Sequence, residues 1–256
     1  MRADTQGIVL RETKTSYNRR MLLLFTREYG MISAGTSLGE RGKSKSSLAL
    51  QHFTFGRYAL HRGRDSYNID SAEVIKSFFG ISENIDKYLN GAYVLELTAK
   101  VLQPEVPMPG LFDTLIDFFD LLERREKGFG TLVLAYQMSL FRYMGVAPVL
   151  DRCAVCGKPA GMWFSVADGG LICDACRDRI RKEDTNGSDE NSSRNVLIYP
   201  VDFDIINALN YFNRNPLRRL ENIALSGATG KALQGILREY AAYHLDASNI
   251  KSETMI

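Results

Sequence analysis

No apolar run in this 256-residue chain approaches the roughly 18 residues needed to span a bilayer. The opening Met1-Arg2-Ala3-Asp4-Thr5-Gln6 has no apolar core of a signal peptide, so the expected location is the cytoplasm. Histidine is scarce: His52, His61 and His244 are scattered, none at ligand spacing to another, and each reads as a surface or packing residue. The chain has no H-E-x-x-H, no G-x-S-x-G and no G-x-G-x-x-G after a strand. Gly42-Lys43-Ser44 resembles the end of a phosphate-binding loop, but Ser37 stands where that pattern needs glycine, which removes nucleotide hydrolysis. Asp113, Asp117 and Asp120 form a carboxylate face on a helix, with no histidine or further carboxylate to complete a metal site. That face reads as solvated. Nothing in these absences asks for an enzyme, and a non-catalytic role is expected.

Cysteine is also scarce, and its placement organises the chain. All four, Cys153, Cys156, Cys173 and Cys176, fall in two C-x-x-C pairs with sixteen residues between the pairs. This is the double-knuckle spacing of a zinc ribbon, in which two tight turns present four thiolates to one tetrahedral ion. Two disulfides or four reduced thiols are the alternatives. Four thiolates close the coordination sphere, so such a zinc is structural. Gly157 suits the turn after the first knuckle. Between the knuckles, Met162-Trp163-Phe164 and Leu171-Ile172 read as a hairpin around Asp168-Gly169-Gly170.

The net charge of +2 conceals a split: residues 1–80 hold thirteen Lys/Arg against seven Asp/Glu, and residues 81–256 hold nineteen against twenty-three. A basic N-terminal part points to a polyanionic partner. Five short strands are expected there, with a closed or nearly closed barrel, an OB-fold by strand count. Cations cluster in its connections: Arg19 and Arg20, then Arg41, Lys43 and Lys45 in a Gly/Ser-rich loop, then Arg57, Arg62 and Arg64. These are the expected phosphate contacts. Tyr17, Phe53, Phe55, Tyr58 and Tyr67 read mainly as barrel core, with base stacking as the other use. From residue 82 the apolar spacing becomes helical, with Gly145 and Pro148 ending the third helix. The fold class is therefore α+β: a five-stranded OB-fold barrel (1–80), then a helical domain (81–256). That domain carries a four-cysteine zinc-ribbon subdomain over 150–182 and a polar, disordered loop near 184–195. Helices are expected over 201–212 and 231–245, and residues 248–256 read as a frayed tail.

Several stretches carry a family resemblance. They are Gly7-Ile8-Val9-Leu10-Arg11, Leu24-Phe25-Thr26-Arg27-Glu28-Tyr29-Gly30, the basic loop from Gly39 to Lys45, and Leu50-Gln51-His52-Phe53. So do Gly145-Val146-Ala147-Pro148-Val149-Leu150-Asp151-Arg152 leading into Cys153-Ala154-Val155-Cys156-Gly157, then Phe164-Ser165 and Gly169-Gly170-Leu171-Ile172-Cys173. In order and through most of the chain, these resemble the bacterial recombination mediator family RecO. The resemblance implies an N-terminal OB-fold and a helical domain interrupted by the zinc subdomain. It further implies a nucleoid-associated, non-enzymatic role in DNA repair: binding single- and double-stranded DNA, annealing complementary strands, and loading RecA together with RecR. The single-strand-binding protein, through its C-terminal tail, is a further implied partner. An RNA-binding OB-fold protein and a zinc-ribbon protein–protein adaptor are the rival readings.

Overall fold

The structure is a computed structural model, and it describes residues 2–14, 20–36, 38, 45–64, 66–186 and 197–252. Arg19, Arg41, Lys43, Tyr17, the Gly42-Lys43-Ser44 motif and residues 187–195 of the expected disordered loop lie outside the described residues. By contacts the chain forms two compact units, residues 1–129 with 249–256, and residues 130–248.

The first unit is built on a closed barrel with strand order β1-β2-β3-β5-β4. Its strands are β1 (Arg2–Lys14), β2 (Arg20–Thr26), β3 (Gly30–Thr36), β4 (Thr54–Arg62) and β5 (Tyr67–Ser77). All pairs are antiparallel except β3 with β5. This is the OB-fold. Period-two alternation sends Leu22, Leu24, Ile32, Tyr58, Leu60 and Ile69 into one barrel core. A short helix, α1 (Lys45–Leu48), leads to Ala49 and Leu50, both fully buried, and the Tyr58 hydroxyl donates to the Ala49 carbonyl at 2.5 Å. Burial pushes the Tyr58 phenol well above the ordinary tyrosine range. Phe53, Tyr58 and Tyr67 are buried and Phe55 packs on Phe112, so these four aromatics serve the core.

Outside the barrel lie α2 (Phe79–Ser82), α3 (Ile85–Val101) and α4 (Pro109–Arg124). Asn84 caps α3 by accepting from the Lys87 amide at 3.0 Å, and Pro109 opens α4, where its missing N–H costs nothing. The apolar stripe of α4 meets the barrel edge-on: Phe112 against Phe25 and Phe55, Phe119 against Phe53 and Phe78. Gly30, with φ +68, lets the β2–β3 turn approach residue 106, since a Cβ there would sit 2.2 Å from the Val106 carbonyl. The carboxylate face on α4 is not left to solvent as expected. Asp113 takes a bidentate pair from Arg27 at 2.5 and 3.0 Å, and Asp120 pairs with Lys76.

The second unit holds α5 (Phe129–Tyr143), the hairpin β6 (Trp163–Ser165) and β7 (Gly170–Ile172), and α6 (Asp174–Asn186). After these come β8 (Ile198–Pro200), α7 (Phe203–Arg214) and α8 (Gly227–Leu245). From Thr131 to Phe141 every residue of α5 is buried. Gly145, with φ +76, closes α5: its amide donates to the Arg142 carbonyl and that of Val146 to Phe141, the Schellman pattern. Residues 184–186, expected within the disordered loop, complete α6 instead.

The last residues also depart from expectation. Asp246 and Asn249 adopt left-handed backbone, which Asp and Asn tolerate, and they turn the chain twice. Ile250 is then only 4% exposed, and the Lys251 and Ser252 amides donate to the Glu96 carboxylate at 2.9 and 3.0 Å. Residues 249–252 are a strap on α3, not a frayed tail. A periodicity argument misses it because four residues carry no period.

Candidate nucleic-acid interface and cysteine cluster

Strand register shows what the barrel brings together. Leu22, Ala34, Tyr67 and Arg62 lie in one row across β2, β3, β5 and β4, with Arg20 two residues from the row and opposite Thr36. Three inter-strand spacings make that row about 14 Å wide. Arg64 follows two residues after Arg62 in the β4–β5 connection. Of the cations named from sequence, Arg20, Arg62 and Arg64 thus gather near the end of β2–β3, where OB-folds take oligonucleotides between the β1–β2 and β4–β5 loops, whereas Arg57 lies five residues from Arg62 along β4, between Gln6 of β1 and Glu73 of β5.

Their engagement differs. Arg20 holds Glu12 through Nε and Nη2 at 2.8 and 2.9 Å, and its side chain is only 19% exposed. Arg62 lies over the Tyr67 ring at 5.5 Å and reaches Glu105 at 3.3 Å. Arg57 and Arg64 are exposed, and among the described residues neither makes an ion pair. Lys45 is the first residue of α1. Of the histidines, His61 pairs with Asp70 at 2.6 Å, while His244 packs on Tyr240 and bonds the Val166 carbonyl at 2.7 Å.

The cysteines converge as their spacing predicts. The first knuckle closes through the Gly157 amide on the Cys153 carbonyl at 2.9 Å, with Gly157 at φ +74. The second is the entry to α6, with Cys173 just before the helix and Cys176 in its first turn. All four Sγ atoms lie within 4.8 Å of one another, and Cys156 and Cys173 are 3.8 Å apart. A tetrahedron with metal–sulfur bonds of about 2.3 Å has edges of about 3.8 Å, whereas a disulfide is about 2.05 Å long. The thiols are free, and the donor set fits a tetrahedral metal ion. Burial pushes the Cys153 thiol up, but amides of Cys156, Cys173 and Val155 outweigh it and hold it at about 6. Burial and its sulfur neighbours push Cys176 up to about 12. A divalent ion bound here would take the place of thiol protons.

Around the cluster, Cys153, Cys176, Ile172, Ile180 and Ile198 make a small core of their own. Gly170 (φ +154) lets β7 pass close to residue 149, where a Cβ would sit 2.2 Å from the Val149 carbonyl. Trp163 donates Nε1–H to Asp174 at 2.8 Å, with Arg177 over its ring at 4.2 Å. Sequence reasoning did not single out this clasp. The i, i+4 pair Arg177 and Arg181 near an aromatic hairpin strand was its available signal.

Comparison with known proteins agrees with both halves of this description. Residues 1–78 match the family model for the N-terminal part of recombination protein O, and residues 82–254 match that for its C-terminal part. A DNA repair protein RecO of Alkaliphilus metalliredigens is 28% identical over 255 residues, 98% of this chain and 97% of that protein. One of Exiguobacterium sibiricum is 32% identical over 197 residues, 76% of each chain. One of Listeria innocua is 30% identical over 179 residues, 69% of each. No helix among the described residues is long and apolar enough to cross a membrane. With both family models matched in order along an OB-fold barrel and a four-cysteine subdomain, the chain belongs to the RecO family of DNA repair and recombination proteins.

Proposed function

We propose that this protein is a non-enzymatic recombination mediator of the bacterial cytoplasm and nucleoid. It binds single- and double-stranded DNA, anneals complementary strands and, with RecR, loads RecA onto DNA coated by the single-strand-binding protein, whose C-terminal tail it engages. The observation that carries this reading is the joint match of barrel and C-terminal part to one DNA repair family. The physics of the barrel supports it. Two complementary strands repel each other, and a cationic surface that neutralises phosphates lowers that barrier without reading sequence. Residues 1–80 are the DNA-binding part in this reading. Arg57 and Arg64 act as exposed phosphate partners, and Arg20, Arg62, Lys45, Arg19, Arg41 and Lys43 act with them. The four-cysteine site, Cys153, Cys156, Cys173 and Cys176, holds one structural zinc, which staples a subdomain whose own core is too small to fold alone.

The test is binding of labelled single-stranded DNA across a salt series. Affinity should fall linearly on a log–log plot, and Arg57→Glu with Arg64→Glu should weaken binding and flatten the slope by about 1.4, for two lost single-strand phosphate contacts. An unchanged affinity and slope in that double variant refutes Arg57 and Arg64 as phosphate partners. Preference for RNA over a matched DNA strand would favour the RNA-binding reading.

A further inference from the structure

A cleft of about 530 Å³ opens in the first unit between the outside of β1–β2 and helix α3, within the size range of small-ligand sites. Nothing in the barrel's expected contacts reaches it. Its floor comes from an irregularity in β1. The ladder pairs Val9 with Leu24 but Arg11 with Leu23, so Leu10 is an extra residue in β1. Such a bulge re-aims side chains, and here it turns two consecutive residues, Leu10 and Arg11, to the same outer surface. One wall is a single stripe of α3, Tyr88, Ala92, Leu95, Ala99 and Lys100, about 18 Å from end to end. The strap residues 249–251 form the other.

The charge of this cleft is one-sided. Arg11, Lys100 and Lys251 line it, against Glu96 alone. Glu96 is already engaged by the Lys251 and Ser252 amides and by the Ser252 hydroxyl at 2.8 Å, so both its oxygens are bonded to the strap. Among the described residues Arg11 and Lys100 make no ion pair. An aromatic face is available too. Tyr88 is 41% exposed, and it meets Phe53 edge-to-face at 80°, a geometry that leaves at least one face of the tyrosine ring uncovered by Phe53. The floor is continuous with the barrel surface described above, since Leu23 pairs with Arg11 on one side and with exposed Ser33 on the other.

Cations spaced along an apolar groove that ends in an exposed ring are the elements of a stacking site for unpaired bases. We infer that this cleft is a second binding stretch for single-stranded DNA, taking phosphates on Arg11 and Lys100 and a base on Tyr88. A single strand crossing the outer surface of β2–β3 then continues over Leu23 and along α3. A duplex offers Tyr88 no free base, because its bases are stacked and paired. The inference rests on the DNA-binding reading and adds to it a strand path and a preference for single strands.

The test uses the full chain and an oligothymidine carrying 5-bromodeoxyuridine. Photocrosslinks should map to the peptide containing Tyr88, and Arg11→Glu with Lys100→Glu should lower single-strand affinity roughly tenfold or more at 0.1 M salt. Both side chains are exposed, so the melting temperature should not move. Duplex affinity should change far less. Unchanged single-strand affinity in that variant, with crosslinks confined to other barrel residues, overturns the cleft while leaving the DNA-binding reading intact. Failure of the wild-type chain to bind any single strand overturns both. Capture of a hexaglutamate peptide that the variant loses, with DNA binding unchanged, assigns the cleft to an acidic peptide and also overturns the inference.

Discussion

In the proposed zinc site each knuckle cysteine supplies one of four ligands, and the set has no redundancy. Cys153 is the most enclosed of the four at 1% exposure, and the Cys173 amide donates to its sulfur at 3.4 Å. Replacing it leaves three donors around a site built for four, and a small core of isoleucines that cannot hold by itself. The purified protein is expected to carry one zinc per chain, and Cys153→Ser to lose it. Trp163, the sole tryptophan, sits on this subdomain under Arg177, so its emission reports the loss. Elemental analysis with tryptophan fluorescence checks both. A metal-free wild type with unchanged emission would remove zinc from the account. This site was legible almost in full from spacing, because covalent connectivity fixes which turns can share an ion. The Trp163 clasp was not, because it depends on the pitch of α6 against a strand.

At the scale of elements, strands and helices follow from periodicity, and the exceptions are local. The barrel strands alternate, the α4 stripe packs on Phe25 and Phe53, and Gly145 ends α5 as its φ requires. The strap over 249–252 was illegible because its stability comes from one carboxylate rather than a pattern. Partial burial pushes the Glu96 carboxyl up, and donors from Lys251 and Ser252 outweigh it, leaving it below the ordinary glutamate range. A depressed folded-state value means the strap's bonds are intact above the ordinary glutamate value, about 4.3, and are lost as pH falls through the folded one. Hydrogen exchange corrected for intrinsic rate should therefore show protection of the Lys251 and Ser252 amides at pH 6 that declines below about pH 4. Glu96→Gln should weaken protection at pH 6 and remove its pH dependence. Protection that is constant across that range in the wild type contradicts the strap's dependence on this carboxylate.

For the whole molecule, composition alone showed the charge split and left the partner as some polyanion. The register of β2, β3, β5 and β4 then sets Arg20 and Arg62 along one surface, which spacing in sequence does not reveal. Arg20 and Arg62 illustrate the limit of counting cations, since Glu12 and Glu105 engage them while Arg57 and Arg64 stay exposed. Family membership names the process, DNA repair, and in the proposed function the barrel is the part that meets DNA. The central claim is that this surface brings complementary strands together. Strand annealing by the zinc-loaded protein, with complementary oligonucleotides and a duplex-reporting dye at low and moderate salt, tests it most directly. The account predicts acceleration at low salt that fades as salt rises and is reduced in the Arg57→Glu, Arg64→Glu variant. Folded, zinc-loaded protein that leaves annealing at its spontaneous rate at every salt concentration would contradict it.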